Sequence, residues 1–325
     1  MFLQNCYFLL LVDWLVMVHG VSRDRQKMIS AFHEIRSIST GSPLGIRSWG
    51  CSHFDDIFLA LREADPVGDK VIINAGCNKG YNFATFAALW TPDIHVTPMV
   101  WGESLKSSTI IGDMKKKSEK CGNCYDCLSG NKFKLTALAD ETKKPNLFMV
   151  GIDLNPVTIN VIKNVSRVLG DQEKSEGWNS RVNLLLKHAA VGHKLGSIPL
   201  SPVCRRGGAD EGCALVKGNS KGPKVPMVTI DSVIDEIAVQ TKSEIVDILL
   251  IDTEGNDPLA INGTLKALQG QRVRLMIFEY HDIGMWQTIS LKSVVELLGS
   301  MAYQCYMSGR GALFPINNGK YGGWA

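Results

Sequence analysis

A loop that suits a nucleotide ligand follows the first strongly apolar segment of the chain. It reads Gly76-Cys-Asn-Lys-Gly80, with its glycines four residues apart. The segment Lys70–Asn74 before it predicts a buried strand, and Tyr81–Trp90 after it predicts a helix. Glycine lets the backbone turn sharply and approach a ligand closely, and the following helix offers its N-terminus. This order of elements is typical of a strand–turn–helix nucleotide site.

Polar residues follow the other predicted strands at the equivalent point, where each strand ends. They are Asp153, His188 with Ala189, Asp252 to Glu254, and Glu279 to His281. Ligands of a parallel sheet bind outside the carboxyl ends of its strands, so we expect these residues to lie together. A carboxylate ending the second strand can accept hydrogen bonds from both hydroxyls of a ribose, which makes Asp153 the predicted ribose residue. Its alternative role is a helix N-cap or a solvated turn.

The glycine loop also indicates which nucleotide to expect. A dinucleotide pyrophosphate favours the tighter G-x-G-x-x-G form, whereas this loop has only two glycines in the pattern G-x-N-x-G. The looser form suits an adenosine ligand without a pyrophosphate, such as S-adenosylmethionine. A nicotinamide-dependent oxidoreductase is therefore a less favoured alternative.

The elements that position these residues alternate along the chain between short apolar runs and helical patterns. Predicted strands at 147–152, 182–186, 246–251 and 273–278 alternate with helices that begin near Pro156 and Pro258 and a helix at 291–301. This predicts an α/β fold with a doubly wound, mostly parallel sheet of about seven strands and helices on both faces. The segments 303–307 and 312–315 are expected to pair as antiparallel edge strands.

We expect one main domain at 67–325, preceded by a helical extension at 21–66. Two stretches interrupt the alternation, a cysteine-containing insertion at about 91–146 and a second loop at about 201–225. With 45% hydrophobic and 21% charged residues the chain is ordinary for a globular protein. Its net charge of +3 is too small to indicate a nucleic-acid partner.

The first 20 residues contain an apolar run, from Phe8 to Val18, that is shorter than the ~20 residues needed to span a bilayer. They predict a signal peptide or a signal anchor, and a buried N-terminal helix is the alternative. We therefore expect a location in the secretory pathway or outside the cell. A membrane-anchored or a cytoplasmic protein is the alternative, and contact with a membrane is expected only if the segment is an uncleaved anchor.

Eight cysteines remain once residues 1–20 are set aside, an even number that permits disulfides. Cys121, Cys124 and Cys127 are spaced as in a zinc site, but a closed zinc site needs four ligands. If the N-terminal segment is a signal peptide, disulfides are favoured over metal in the insertion; if it is not, the cysteines are expected to be free thiols. Cys204 and Cys213 are a second candidate pair, and Cys77 is expected to be a small packing residue.

The motifs taken together resemble the FkbM family of class I S-adenosylmethionine-dependent methyltransferases. The family's first motif is similar to V-D-V-G-A-N-x-G, which reads Ile73-Asn-Ala-Gly-Cys-Asn-Lys-Gly80 here. Its most specific segment, D-x-L-K-I-D-x-E-G-x-E followed by L-x-G, corresponds to Asp247–Asp257 followed by Ile261-Asn-Gly263. The family's T-L-D appears as Thr229-Ile-Asp231, and its fifth-strand glutamate as Glu279. The resemblance covers about residues 68–310 outside the insertions.

The sequence departs from the family pattern at three positions. Asn74 replaces the aspartate of the first motif, Leu250 replaces a common lysine, and Asp257 shortens the final glutamate. The substitution at Asn74 leaves an amide where a carboxylate would attract the cofactor's ammonium group. A non-catalytic binding or scaffold protein with a degenerate methyltransferase fold is therefore the alternative function.

The resemblance implies transfer of a methyl group from S-adenosylmethionine to a hydroxyl, on a sugar or a small natural product. The partner is then a small-molecule or glycan acceptor, and a divalent cation is a less favoured second cofactor. The cofactor-binding residues expected from the loop and strand ends are Asn74, Gly76, Cys77, Asn78, Gly80, Asp153, His188 and Ala189.

An acceptor hydroxyl must lose its proton, so a general base is required. Asp252 is the first candidate, because it leaves the fourth strand beside the expected position of the methyl group. His281 is the second, since a neutral imidazole is a competent base near pH 7. A hydrogen-bonded structural role is its alternative. Glu254 is a third catalytic candidate, and its alternative role is to hold the following turn.

Overall fold

The computed structural model of the chain describes residues 14–18, 58, 61–62, 64–107, 145–171, 178–200, 223–280, 283–309 and 312–316. Within these ranges the chain forms a large sheet with helices packed against it and a small second sheet beside it. The predicted α/β class is confirmed.

The strands form two sheets. They are β1 (Trp14–Val18), β2 (Lys70–Ala75), β3 (Leu147–Asp153), β4 (Val182–His188), β5 (Ala190–Val191), β6 (Gly196–Pro199), β7 (Lys224–Val228), β8 (Val246–Ile251), β9 (Val273–Glu279), β10 (Gln304–Gly309) and β11 (Ala312–Pro315). The large sheet has the order β11-β10-β1-β9-β8-β2-β3-β4, and the small one β5-β7-β6. The described sheet therefore has eight strands, where about seven were expected. The five from β9 to β4 are parallel to one another, and β1, β10 and β11 join antiparallel.

The helices cover two separate hydrophobic clusters. They are α1 (Tyr81–Trp90), α2 (Pro98–Ser107), α3 (Pro156–Asp171), α4 (Trp178–Arg181), α5 (Ile230–Thr241), α6 (Asp257–Asn262), α7 (Leu265–Gln269) and α8 (Leu291–Ser300), with 3-10 turns at Pro92–Ile94 and Gly284–Gln287. Side chains of β2 alternate between the clusters. Ile72 joins the one built with α1, α2 and α3, and Ile73 joins the one built with α5 and α8. This explains why β2 is apolar along its whole length.

The N-terminal segment differs from the expectation. Trp14–Val18 forms β1, which pairs with β10 on one side and with β9 on the other. A buried N-terminal helix is therefore wrong for these five residues. The signal peptide gains no support, because cleavage after Gly20 would remove a strand that has two neighbours. No helix among the described residues is long and apolar enough to cross a bilayer.

The beginning of the first insertion also differs, because it contains the helix α2. Trp101 of α2 is fully buried, and its indole N–H donates to the Lys79 carbonyl at 2.8 Å. Both ends of the insertion meet at Arg181, which bonds the Asp93 carboxylate at 2.6 Å and the Pro145 carbonyl at 2.8 Å. The predicted cysteine cluster at 121–127 and the Cys204–Cys213 pair lie outside the described residues. Cys77 and Cys305, the cysteines that are described, are buried thiols.

A largely buried carboxylate ties strands together at the amino ends of the parallel strands, away from the predicted site. Asp247 at the start of β8 accepts a hydrogen bond from the Val71 backbone N–H at 2.8 Å. Its other oxygen accepts from the Arg274 guanidinium at 2.7 Å. Asp65 completes the group through an ion pair of 2.9 Å to the buried Lys70 ammonium. These bonds fix the alignment of β2, β8 and β9 at the amino ends of the strands.

Replacing Asp247 with alanine should lower the free energy of unfolding by about 2–3 kcal/mol, because it leaves a buried N–H and a guanidinium without their acceptor. Chemical denaturation measures this. The control is Asp235→Ala, which removes an exposed carboxylate from its pairs with Lys266 and Arg272 and should cost less than about 1 kcal/mol. Equal losses of the free energy of unfolding in the two variants would contradict this structural role of Asp247.

Candidate functional site

Three loops meet at the carboxyl edge of the parallel strands, as the sequence predicts. The Asp252 N–H donates to the Ala75 carbonyl at 2.8 Å, and the Gly76 N–H donates to the Ile152 carbonyl at 2.8 Å. The Cys77 N–H bonds the same Ile152 carbonyl at 3.2 Å. These bonds continue the strand pairing beyond the strand ends, so the loops after β2, β3 and β8 have fixed relative positions.

The loops surround an open cleft of about 600 Å³, which includes open solvent at its mouth. Its lining comprises Gly76, Asn78, Ile152, Asp153, Leu154, Thr158, Ala189, Ala190, Val191, Asp252, Thr253, Glu254 and Asn256. Predicted cofactor residues and two of the predicted catalytic residues therefore share one cleft.

Gly76 allows the closest approach between loops at the floor of the cleft. Its φ is +84°, a conformation that residues with a side chain rarely adopt. A Cβ atom placed on Gly76 would lie only 1.6 Å from the Asp252 carbonyl oxygen. Only glycine fits here, and its exposed backbone faces the ligand space.

Asp153 occupies the position predicted for a ribose-binding carboxylate. One of its oxygens accepts from the Asn78 N–H at 2.9 Å, and the other accepts from the Asn155 N–H at 2.8 Å. Each oxygen keeps a lone pair for a further donor. Burial raises the pKa of Asp153 to about 6, while these two bonds and the nearby His188 act in the opposite direction. The carboxylate is thus mostly ionised at neutral pH and can accept two ligand hydroxyls.

Apolar side chains form one wall of the cleft beside Asp153. Ala189, Ala190 and Val191 contribute from the end of β4 and from β5, and Leu154 contributes from the loop after β3. The Asn256 side-chain amide donates to the Val191 carbonyl at 2.9 Å and so ties this wall to the loop after β8. A carboxylate beside an apolar wall fits a nucleoside, with its hydroxyls on Asp153 and its base against the wall.

Four of the predicted cofactor residues do not line the cleft. The Cys77 side chain is buried against Gly151, and burial raises the pKa of its thiol well above the usual range, as suits a packing residue. Gly80 has a φ of +78° and leaves room for Trp101. His188 is exposed, with its Nε2 3.1 Å from the Leu154 carbonyl.

Asn74 is the fourth of these residues, and its side chain is buried within β2. Its amide nitrogen has no hydrogen-bond partner among the described residues. The side chain that departs from the family's first motif is therefore in the core rather than in the cleft lining.

Acidic side chains gather at the other end of the cleft. Asp252 and Glu254 line it, and Asp257 and Glu279 lie behind them, with Asp257 fully buried. Burial and the nearby Asp252 raise the pKa of Asp257 to about 7. Burial, with repulsion from Asp252, Asp257 and Glu254, raises the pKa of Glu279 to about 9. The cluster favours a positively charged ligand, which would relieve this repulsion.

The backbone of Glu254 adopts an unusual conformation within the cleft. Its φ is +53°, and the next residue, Gly255, has a φ of +83°. A non-glycine residue in the left-handed region is uncommon and is concentrated at functional sites. The Gly255 carbonyl accepts from the Met285 N–H at 2.7 Å, which holds this turn against the 3-10 segment.

The residues aligned with the family's T-L-D and L-x-G motifs support the site from outside. The Thr229 hydroxyl caps α5 by accepting from the Ser232 N–H at 3.0 Å. Asp231 caps α7 by accepting from the N–H groups of Lys266 and Ala267 at 3.0 and 2.8 Å. Gly263 lies against the Gly192 carbonyl, with no room for a Cβ atom. These residues fasten the small sheet, and with it the apolar wall, to α6 and α7.

Sequence reasoning missed several residues that line the cleft, and one catalytic candidate is not among the described residues. Thr158, Val191 and Asn256 line the cleft, although only Asn256, within the segment that resembles the family, carried a sequence signal. His281 lies outside the described residues, so its catalytic role stays a prediction. No group of metal-binding side chains occurs among the residues that the structure describes.

Comparison with known families provides the remaining observation. The family model described as Methyltransferase FkbM domain matches residues 133–305, a little more than half of the chain. The chain belongs to the FkbM methyltransferase family. The match begins after the Gly76–Gly80 loop, so the role of this loop rests on its geometry. Comparisons with curated proteins and with solved structures give no match.

The close approach of the loops at the floor of the cleft can be tested directly. Gly76→Ala should lower the free energy of unfolding by at least about 3 kcal/mol, because the new Cβ atom overlaps the Asp252 carbonyl in a strained conformation. The control is Gly196→Ala, where the nearest atom would be 3.8 Å away and the change should stay within about 1 kcal/mol. Thermal or chemical unfolding distinguishes the two, and a Gly76→Ala protein as stable as the control would contradict this geometry.

Proposed function

We propose that this protein transfers a methyl group from S-adenosylmethionine to a hydroxyl oxygen of a sugar or a small natural product. The observation that carries the proposal is the cleft itself. Asp153, with lone pairs to spare, lies beside the bare backbone of Gly76 in the same cleft as Asp252 and Glu254. Family membership indicates the methyltransferase activity. The carboxylates suit S-adenosylmethionine, because it carries ribose hydroxyls and positively charged groups.

The residues present fit the ribose, the adenine and the two positively charged groups of the cofactor. Asp153 would accept hydrogen bonds from the two ribose hydroxyls, and the wall formed by Ala189–Val191 would contact the adenine. Gly76 would let the methionine part pass close to the backbone. Asp252 and Glu254 would stabilise the positive charges of the sulfonium and ammonium groups. The bound cofactor supplies an electrophilic methyl group on a positively charged sulfur.

The acidic end of the cleft favours a neutral acceptor over an anionic one. Carboxylates and phosphates would be repelled by Asp252 and Glu254, whereas hydroxyls can donate hydrogen bonds to them. Asp252 would orient the acceptor hydroxyl and take its proton as the oxygen–methyl bond forms. In-line transfer depends mainly on alignment, which the backbone bond from Asp252 to Ala75 fixes on the protein side.

The full-length protein should bind S-adenosylmethionine with a Kd of about 1–100 μM in calorimetry near pH 7.5. Asp153→Ala should weaken binding by at least about 100-fold, because two hydrogen bonds to a charged group are lost. The matched control is Asp171→Ala, an exposed carboxylate at the end of α3 that pairs with Arg167 and should bind as the wild type does.

The same binding should depend on pH through Asp153, whose pKa of about 6 is raised by burial. Hydroxyls need the ionised form as acceptor, so the affinity should be constant well above pH 6. It should then fall, approaching tenfold per pH unit, as the pH drops below this value. Titrations from about pH 8 to pH 5 test this. An affinity that does not change with pH would show that Asp153 is not the acceptor of the hydroxyls.

Absence of binding by the folded wild type would instead favour the alternative function, a non-catalytic binding or scaffold protein. The change to Asn74 is the sequence feature behind that alternative. Because the Asn74 side chain does not line the cleft, it gives no direct support for a decayed cofactor site.

Acceptor chemistry can be tested with radiolabelled methyl transfer to a panel of neutral sugars and small polyols, with sugar phosphates included for comparison. Neutral hydroxyl compounds are expected to accept the label and the phosphates are not. Asp252→Asn should lower the transfer rate by about 100-fold or more, because an amide cannot take the proton. Transfer to phosphorylated acceptors alone would overturn the proposed acceptor class.

A further inference from the structure

The acidic end of the cleft contains a pair of carboxyl groups whose contact requires a proton. β8 and β9 are parallel, and Ile251 lies opposite Phe278 at their carboxyl ends. Asp252 and Glu279 directly follow this pair along the two strands. Their side chains are therefore neighbours at the carboxyl ends of β8 and β9. The two side chains are hydrogen-bonded to each other. Two ionised carboxylates only accept hydrogen bonds, so this contact exists only when one of them carries a proton.

The surroundings decide which of the two carboxyl groups is protonated. Glu279 faces Asp252, Asp257 and Glu254, and burial with repulsion from these groups raises its pKa to about 9. Asp252 lines the open cleft, where water and ligands can stabilise its charge. The proton therefore resides mainly on Glu279 at neutral pH.

Asp257, the first residue of α6, lies beside this pair of carboxyl groups. One of its oxygens accepts from the Thr253 N–H at 3.1 Å, and the other has no hydrogen-bond partner among the described residues. Repulsion from Asp252 is the second cause, after burial, of its raised pKa. Ionisation of Glu279 would place another negative charge close to Asp252 and Asp257, which is unfavourable in this largely buried cluster.

The geometry points to Glu279 as a positioning residue, whose protonated carboxyl donates a hydrogen bond to Asp252 and holds that carboxylate ionised and facing the cleft. This inference rests on the proposed function only for the purpose that it assigns to Asp252. The protonated state of Glu279 is a property of the protein without ligand, so it can be tested separately.

Infrared spectroscopy of the full-length protein at about pH 8 is the direct test, because a protonated carboxyl has a C=O stretch that an ionised one lacks. Asp257, with a pKa of about 7, is then mostly ionised, while Glu279 is not. The wild type should show this band and Glu279→Gln should lack it. The control Glu296→Gln, at an exposed position of α8, should keep the band. A wild type without the band, or a band that persists in Glu279→Gln, would overturn the inference.

The pH dependence of stability gives a second measurement. A carboxyl whose pKa is raised from 4.5 to about 9 on folding stabilises the folded state most below its unfolded pKa. This stabilisation is lost as the pH rises towards 9. Glutamine has nearly the same shape and donates to Asp252 without titrating, so the Tm of Glu279→Gln should decline less than that of the wild type between about pH 6 and pH 9.5. A Tm difference that is the same at every pH would show a purely structural role.

Binding of S-adenosylmethionine separates failure of this inference from failure of the proposed function. If Glu279 serves only to hold Asp252, Glu279→Gln should bind the cofactor within about threefold of the wild type. A band assigned to Glu279 in a protein that does not bind the cofactor would preserve the proton assignment and reject the methyltransferase proposal. Cofactor binding by a protein that lacks the band would support the proposed function and reject the assignment of the proton to Glu279.

Discussion

A few backbone hydrogen bonds just beyond the strand ends are the constraint on which the site depends. The bonds from Asp252 to Ala75 and from Gly76 to Ile152 join three loops that are far apart in sequence. Since the Asp252 carbonyl occupies the place where a side chain of Gly76 would be, neither loop can move without the other. The strand register and the glycine together determine how the carboxylates face each other across the cleft.

The cleft has two ends with different electrostatic character. At one end, a single carboxylate, Asp153, keeps most of its charge at neutral pH through two backbone donors. At the other end, burial and repulsion between neighbouring carboxylates raise the pKa of Asp257 to about 7 and that of Glu279 to about 9. A ligand with hydroxyls at one end and positive charge at the other matches this distribution. The stacking of Trp286 on Phe278, with ring centroids 5.8 Å apart, supports the acidic end from the core.

The predictable part of this structure is the part governed by local pattern. The helix Tyr81–Trp90 has the predicted bounds, and the strand leading to Asp153 extends only as far as that residue. These elements have strong apolar periodicity and clear glycine or proline boundaries. The placement of Asp153 and Asp252 in one cleft followed from the rule that parallel strands end at a common edge.

The parts that sequence reasoning missed depend on distant partners. The strand Trp14–Val18 comes from an apolar run that is compatible with a signal peptide, a helix or a strand, and only its pairing with β9 and β10 decides. The two residues of β5 are too few for a pattern, although they form a wall of the cleft. The roles of Asp257 and Glu279 arise from repulsion between residues on different elements, which no spacing along the chain reveals.

Arg181 joins the two ends of the long insertion. By bonding both Asp93 and Pro145, it brings together the point where the chain leaves α1 and the point where it returns to β3. The entropy of closing a loop grows only with the logarithm of its length, so doubling the enclosed segment costs roughly 0.6 kcal/mol. Beyond α2, whose Trp101 is packed in the core, the enclosed segment can therefore differ in length at almost constant stability. A change in its length would leave the cleft undisturbed, because Arg181 and Pro145 lie at the amino ends of β4 and β3 and the cleft lies at the carboxyl ends.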